Sequence, residues 1–127
     1  MPMRAYTVAT TAVALEMPGK WIDNTLSHFI VPGVSQSKQG VARKLNPRAI
    51  LTLAISLRLV RDLGIPLRLA LDLGNRLGET GGPEARLAIG GDILLQVNVL
   101  AVARDIESRL AHAVEVTPIP RRGRPPR

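Results

Sequence analysis

Three observations in the sequence predict a mainly α-helical fold with small β elements. Apolar residues recur at helical spacing through several segments, each bounded by a capping residue, Pro or Gly. Short β-like runs occur at only two places, each around a Gly-containing turn. Hydrophobic residues make up 46% of the 127 residues but aromatic residues only 2%. The core must therefore come from Leu, Ile, Val and Ala, and rigid aromatic platforms for stacking single strands are disfavoured. A chain of this length holds one modest core with appendages.

Taken in order, Thr7 is placed to cap a first helix with Val8, Thr11, Ala12 and Leu15 on one face. Pro18-Gly19 should stop it near Met17. A second short helix reads from Gly19 or Lys20 to His28, with Trp21, Ile22, Thr25, Leu26 and Phe29 as its apolar or semi-apolar positions. Two short helices across a tight turn suggest helix-turn-helix geometry. Ile30-Val31 and Val41 to Leu45 then read as a strand pair with the polar tip Ser35-Gln36-Ser37-Lys38-Gln39, an arrangement called a wing.

Asn46-Pro47 signals the start of a third helix, Asn as cap and Pro at the first helical position. It should run to Leu63 with Ile50, Leu53, Leu57 and Val60 buried, and its wider apolar surface calls for a central position. Gly64-Ile65-Pro66 breaks it. A fourth helix follows from Pro66 to about Leu77, with Leu67, Ala70, Leu71 and Leu77 inward, and Gly78 to Pro83 reads as a turn. Gly90-Gly91 separates strands at Arg86–Ile89 and Asp92–Val97. Asn98 can cap a last helix with Val99, Val102, Ala103, Ile106, Leu110 and Ala113 as its stripe, and Asp105 can pair with Arg109 one turn on. Past Val116 the composition turns to Pro and Arg, a pattern of disorder in the free chain.

Cysteine is absent, which removes disulfides, thiolate metal sites and thiol redox chemistry. No run is apolar enough to span a membrane, and no secretory leader is visible at the N-terminus. A soluble, cytoplasmic protein is expected. No cofactor or small-molecule effector is evident. Two isolated histidines, His28 and His112, and scattered acids offer neither a nucleophile with its base nor a metal cluster, so the chain is not read as an enzyme.

The net charge of +7 is unevenly spread. Between Asn24 and Arg61 there is no acidic residue, while Lys38, Arg43, Lys44, Arg48, Arg58 and Arg61 contribute +6. Arg121, Arg122, Arg124 and Arg127 add +4, and the rest of the chain sums to −3. Two local concentrations of positive charge suit a polyanionic partner.

The final concentration has a specific shape. Gly123 lets the backbone approach base edges closely, and Arg122 and Arg124 can run both ways along a narrow groove that concentrates negative potential. Pro118, Pro120, Pro125 and Pro126 bias the strand toward an extended form, so less entropy is lost on binding. Arg121-Arg122-Gly123-Arg124-Pro125 resembles an AT-hook, which implies a ligand in the minor groove of A·T-rich duplex. A solvated basic tail is the simpler reading of the same residues.

The helix, helix, wing, long helix and Leu-Gly-Ile-Pro break together resemble the DNA-binding domain of MerR-type winged helix-turn-helix regulators. The likeness rests on Tyr6-Thr7-Val8, Gly40 with Arg43, Asn46-Pro47-Arg48-Ala49-Ile50 and Leu63-Gly64-Ile65-Pro66-Leu67. It implies a winged helix-turn-helix at residues 5–79, with Lys20, Asp23, Asn24, Ser27 and His28 facing bases or phosphates and Asn24 suited to adenine. Lys38, Arg43, Lys44 and Arg48 would neutralise phosphates. Asp23 has a plainer role as a cap or a partner of Lys20, Trp21 as a core anchor, and Arg58 and Arg61 as solvent-exposed residues or partners of Asp62 and Asp72.

Family members usually continue into a long dimerising helix and an effector domain. Here a hairpin and helix at residues 84–116 stand in that place, either to form a homodimer or to close the chain's own core, followed by the AT-hook-like tail at 117–127. The expected function is double-stranded DNA binding, as a transcriptional regulator or nucleoid-associated factor. An excisionase-like recombination accessory factor and a protein-interaction module such as an antitoxin are the alternatives.

Overall fold

The computed structural model describes residues 4–36, 42–80 and 82–116. Its order is β1 (Tyr6–Thr7), α1 (Val8–Leu15), α2 (Gly19–His28), β2 (Val34–Ser35), β3 (Lys44–Leu45), α3 (Pro47–Leu63), α4 (Leu67–Thr80), β4 (Ala85–Ile89), β5 (Ile93–Val97) and α5 (Val99–Val116). The architecture is mainly helical with small antiparallel sheets.

Local capping chemistry sets most of the boundaries. Thr7 Oγ1 accepts the Thr10 N–H at 3.1 Å and so opens α1. Glu16, at φ 56°, closes it by donating its N–H to the Ala12 and Val13 carbonyls. The buried face of α1 carries Thr10, Thr11 and Ala14, whereas Val8, Ala12 and Leu15 are only half-buried. Asn46 Oδ1 accepts the Ala49 N–H at 2.9 Å ahead of Pro47, and Asn98 Oδ1 accepts the Ala101 N–H at 3.0 Å. Each such cap contributes about 1 kcal/mol to its helix.

β1, β3 and β2 form one sheet in the spatial order β1-β3-β2, with Tyr6 and Val34 both opposite Leu45 and with Thr7 and Ser35 both opposite Lys44. The strand predicted at Ile30-Val31 is displaced to Val34–Ser35, and its partner shortens to Lys44–Leu45. Gly33 is the reason. At φ +97° it turns the chain after Pro32, and its carbonyl accepts the Asn46 N–H at 2.9 Å, closing the loop at its base.

Helix α3 is central: α4 packs on one side, α5 on another, and α5 also covers α1. Two contacting neighbours widen and rotate its buried band. Ile50 and Leu53 are buried as predicted, but Ala54, Ile55 and Leu59 take the places expected for Leu57 and Val60, which are half-buried. On α4, Ala70, Leu71 and Leu77 face inward as predicted, with Leu73 added and Leu67 only half-buried.

The α3–α4 contact is close because it is built from small and hydroxylic residues. Ser56 Oγ lies 2.6 Å from the Thr52 carbonyl oxygen and 3.0 Å from that of Ala70. A Cβ on Gly74 would sit 2.5 Å from Ser56 Oγ and 2.9 Å from the Thr52 carbonyl oxygen, so only hydrogen fits there. Gly78, expected in a turn, is instead helical and buried, and α4 continues to Thr80.

The hairpin β4–β5 pairs Ala85 with Val97, Leu87 with Leu95 and Ile89 with Ile93. Its β4 strand lies against α4. In α5, Val99, Val102, Ile106, Leu110 and Ala113 join the same buried cluster as α3 and α4, while Ala103 is half-buried. Of the two roles left open for residues 84–116, α5 fills that of closing the core.

Candidate nucleic-acid interface

Helix α2 buries one face and exposes the other. Ile22 and Thr25 point inward, and Trp21, Leu26 and Phe29 are half-buried. Trp21 is thus a flank of the helix, not the core anchor expected from sequence. Lys20, Asp23, Asn24, Ser27 and His28 are exposed. Helical spacing places Lys20, Asn24, Ser27 and His28 along one polar strip. Among the described residues Lys20 has no ion-pair partner. His28 Nδ1 lies 2.7 Å from the Asn24 carbonyl oxygen, so its ring folds back over the last turn.

The strand pair after α2 is joined to this strip by one side chain. Arg43 donates to Ser27 Oγ at 3.1 Å and reaches Asp23 Oδ1 at 3.4 Å. Asp23 is therefore neither a cap nor a partner of Lys20; its negative charge is offset by Arg43. Lys44, in β3, is exposed and has no ion pair among the described residues.

The remaining cations divide sharply. Arg48 donates to the Asn75 carbonyl at 2.6 Å and to Asn75 Oδ1 at 2.9 Å, half-buried between α3 and α4. That placement gives it an interhelical packing role in place of the phosphate contact read from sequence, because its guanidinium is already hydrogen-bonded and turned toward α4. Arg58 pairs with Asp105 of α5 at 2.8 Å, and Arg61 with its neighbour Asp62 at 2.9 Å. Neither engages Asp72, which pairs with Arg76. Lys38 and the AT-hook-like Arg121, Arg122, Gly123, Arg124 and Pro125 lie outside the described residues.

Sequence reasoning missed Arg68. It opens α4 far from α2 in sequence, yet its guanidinium stands 5.4 Å from the centre of the Phe29 ring at the end of α2. Arg4 likewise stands 5.2 Å from the Tyr6 ring at β1, one strand away from Lys44. The Arg4 contact is local along the chain, whereas no periodicity announces that of Arg68, which depends on α4 being brought to the end of α2 by folding.

A second cluster of charge lies where α1, α3 and α5 meet. A cleft of about 370 Å³ there is lined by Leu15, Met17, Leu57, Arg58, Arg61 and Arg109 among others. Its arginines are all paired: Arg109 bridges Glu16 and Asp105, and Arg58 also holds Asp105. Arg109, through its hydrogen bond and charge, and Arg58 beside it keep the Asp105 carboxyl below its ordinary range; Glu16 and Asp105 push Arg109 up. The arrangement ties three helices together and leaves no unpaired cation for an anion. Among the described residues no group of His, Cys, Asp and Glu is placed to hold a metal, and no helix is long and apolar enough to cross a membrane.

No protein-family model matches the chain, and neither curated proteins nor solved structures give a match.

Proposed function

We propose that this protein binds double-stranded DNA as a winged helix-turn-helix, with α2 in the major groove and the β2–β3 pair beside it on the backbone. One observation carries the reading: the exposed strip Lys20, Asn24, Ser27 and His28 is joined to the loop before β3 by Arg43, which also offsets the carboxylate of neighbouring Asp23. Asn24 offers a donor and an acceptor to a base edge, and Lys20, Lys44 and Arg68 supply phosphate-neutralising charge around it. This surface suits recognition without chemistry, as expected of a regulator or nucleoid-associated factor.

The AT-hook-like segment at Arg121 to Pro125 acts as a second, minor-groove module. Tethering it to the first raises its effective concentration at a neighbouring A·T tract. The test is salt-titrated binding to matched A·T-rich and G·C-rich duplexes, using the whole chain and a chain ending at Thr117. Truncation should lower A·T preference and reduce the salt slope by up to about 3 to 4, one near-unit step for each lost phosphate contact. Unchanged A·T preference rejects the hook, and no detectable duplex binding by either form rejects the proposal as a whole.

A further inference from the structure

The outer strand of the hairpin has one neighbour where its composition suits two. β5 pairs with β4 alone among the described residues. Exposed strand edges are ordinarily protected by charge, proline or a bulge. β5 carries none of these: Ile93, Leu94, Leu95, Gln96 and Val97 are all uncharged, and the uncharged run continues to Ala103. Ile93 and Leu94 are 63% and 58% exposed, on a two-stranded unit of a kind that is marginal alone.

We propose that β5 pairs antiparallel with β5 of a second copy about a two-fold axis at Leu95, making a continuous four-stranded sheet across the dimer. This does not depend on the DNA-binding reading. The sequence of β5 complements itself in that register. Leu95 meets Leu95, Ile93 meets Val97, and Leu94 meets Gln96, so apolar residues face each other on the side where Leu95 and Val97 already pack against the core. No like charges oppose one another along the strand.

The same register satisfies an electrostatic deficiency beyond the strand. Asp92 of one copy falls opposite Asn98 of the other, at the positive N-terminal end of α5. That helix has no acidic residue in its own first turn, so the second copy's Asp92 would supply the favourable charge. Charge complementarity thus singles out a second copy as the occupant and fixes its direction, since a parallel pairing would not bring Asp92 to that end.

The full chain should show a reversible monomer–dimer equilibrium in sedimentation equilibrium without DNA. Leu94→Lys with Gln96→Lys places ammonium groups opposite one another twice across the axis, and should weaken the dimer at least about tenfold. Leu94→Lys with Gln96→Glu replaces them with opposite charges and should keep the dimer. Both side chains are exposed, and far-UV circular dichroism with thermal melting checks that each variant folds. Leu95→Cys, in a chain without cysteine, should crosslink to its counterpart on oxidation. A wild-type chain that stays monomeric through the micromolar range overturns the proposal. Equal dimerisation by the two double variants, or no crosslink from Leu95→Cys, overturns this register.

Discussion

The guanidinium of Arg43 donates to the hydroxyl of Ser27 at 3.1 Å, joining the loop before β3 to the exposed face of α2. The same group meets Asp23 at 3.4 Å, so a single side chain bridges helix and loop and, on the proposed reading, offsets a carboxylate that would repel phosphate. Arg43→Ala should therefore lower duplex affinity roughly tenfold, as expected for loss of a charge-assisted contact. The melting temperature should hardly change, because the pair is exposed. Fluorescence anisotropy beside thermal melting checks both halves, and a large loss of stability would make Arg43 a folding residue instead.

Asn24 and Lys44 should separate base readout from backbone contact. Asn24→Ala is expected to relax discrimination among duplex sequences while leaving the salt slope intact. Lys44→Ala should weaken all sequences alike and reduce the slope by about 1. Binding selections at several salt concentrations distinguish these outcomes.

Gly33 and Asn46 form a joint that tolerates no side chain. A Cβ on Gly33 would fall 2.1 Å from Asn46 Oδ1, the atom that caps α3, and φ is +97° besides. Gly33→Ala should cost about 2 kcal/mol through backbone strain and the disturbed cap. Chemical denaturation measures this directly.

Gly74 tests the close approach of α3 and α4. Gly74→Val should destabilise the fold by about 2–3 kcal/mol, the range for overpacking a tight interface. Adding Ser56→Gly should recover only part, since the Thr52 carbonyl oxygen would still lie 2.9 Å from the new Cβ. Full recovery would place the crowding on Ser56 alone.

Acid should loosen the junction of α1, α3 and α5. Asp105 has a folded-state affinity for protons below its unfolded one, so its contribution is present above about pH 4 and is lost as pH falls through the depressed value. Because the carboxylate is 39% exposed, the effect should be about 0.5 kcal/mol or less. Thermal melts across the acid range should show a steeper decline for the wild type than for Asp105→Asn.

The elements legible in the sequence are those fixed by neighbours along the chain. Thr7, Asn46 and Asn98 cap residues three positions on, and their helices begin where these residues predict. The stripe of α5 faces a single side and is legible for the same reason. Helix α3 is less so, because the buried positions Ala54, Ile55 and Leu59 depend on contact with both α4 and α5. Gly78 also misleads: it suggests a turn, yet a Cβ there would come within 3.3 Å of Arg48 Nε, so its bareness makes room for a side chain from α3. The exposed strip of α2 follows from local periodicity, whereas the partners of Asp23, Arg48 and Arg58 lie 20, 27 and 47 residues away. Charge counted along the chain cannot show that Arg48 turns toward α4 or that Arg58 reaches Asp105 of α5, although it allows the pairing of Arg61 with its neighbour Asp62.

Helix α1 packs against α5, so among the described residues the earliest helix to leave the ribosome is covered by the latest. During synthesis α1 lacks this cover until α5 has emerged. The closing contact spans nearly the whole chain, which makes it costly in loop-closure entropy and late in folding. A nascent chain halted before α5 holds the capped α3 and its partner α4 but leaves α1 with only α2 and the small sheet beside it. Completion of the α1–α5 contact is therefore gated by the synthesis of residues 99–116.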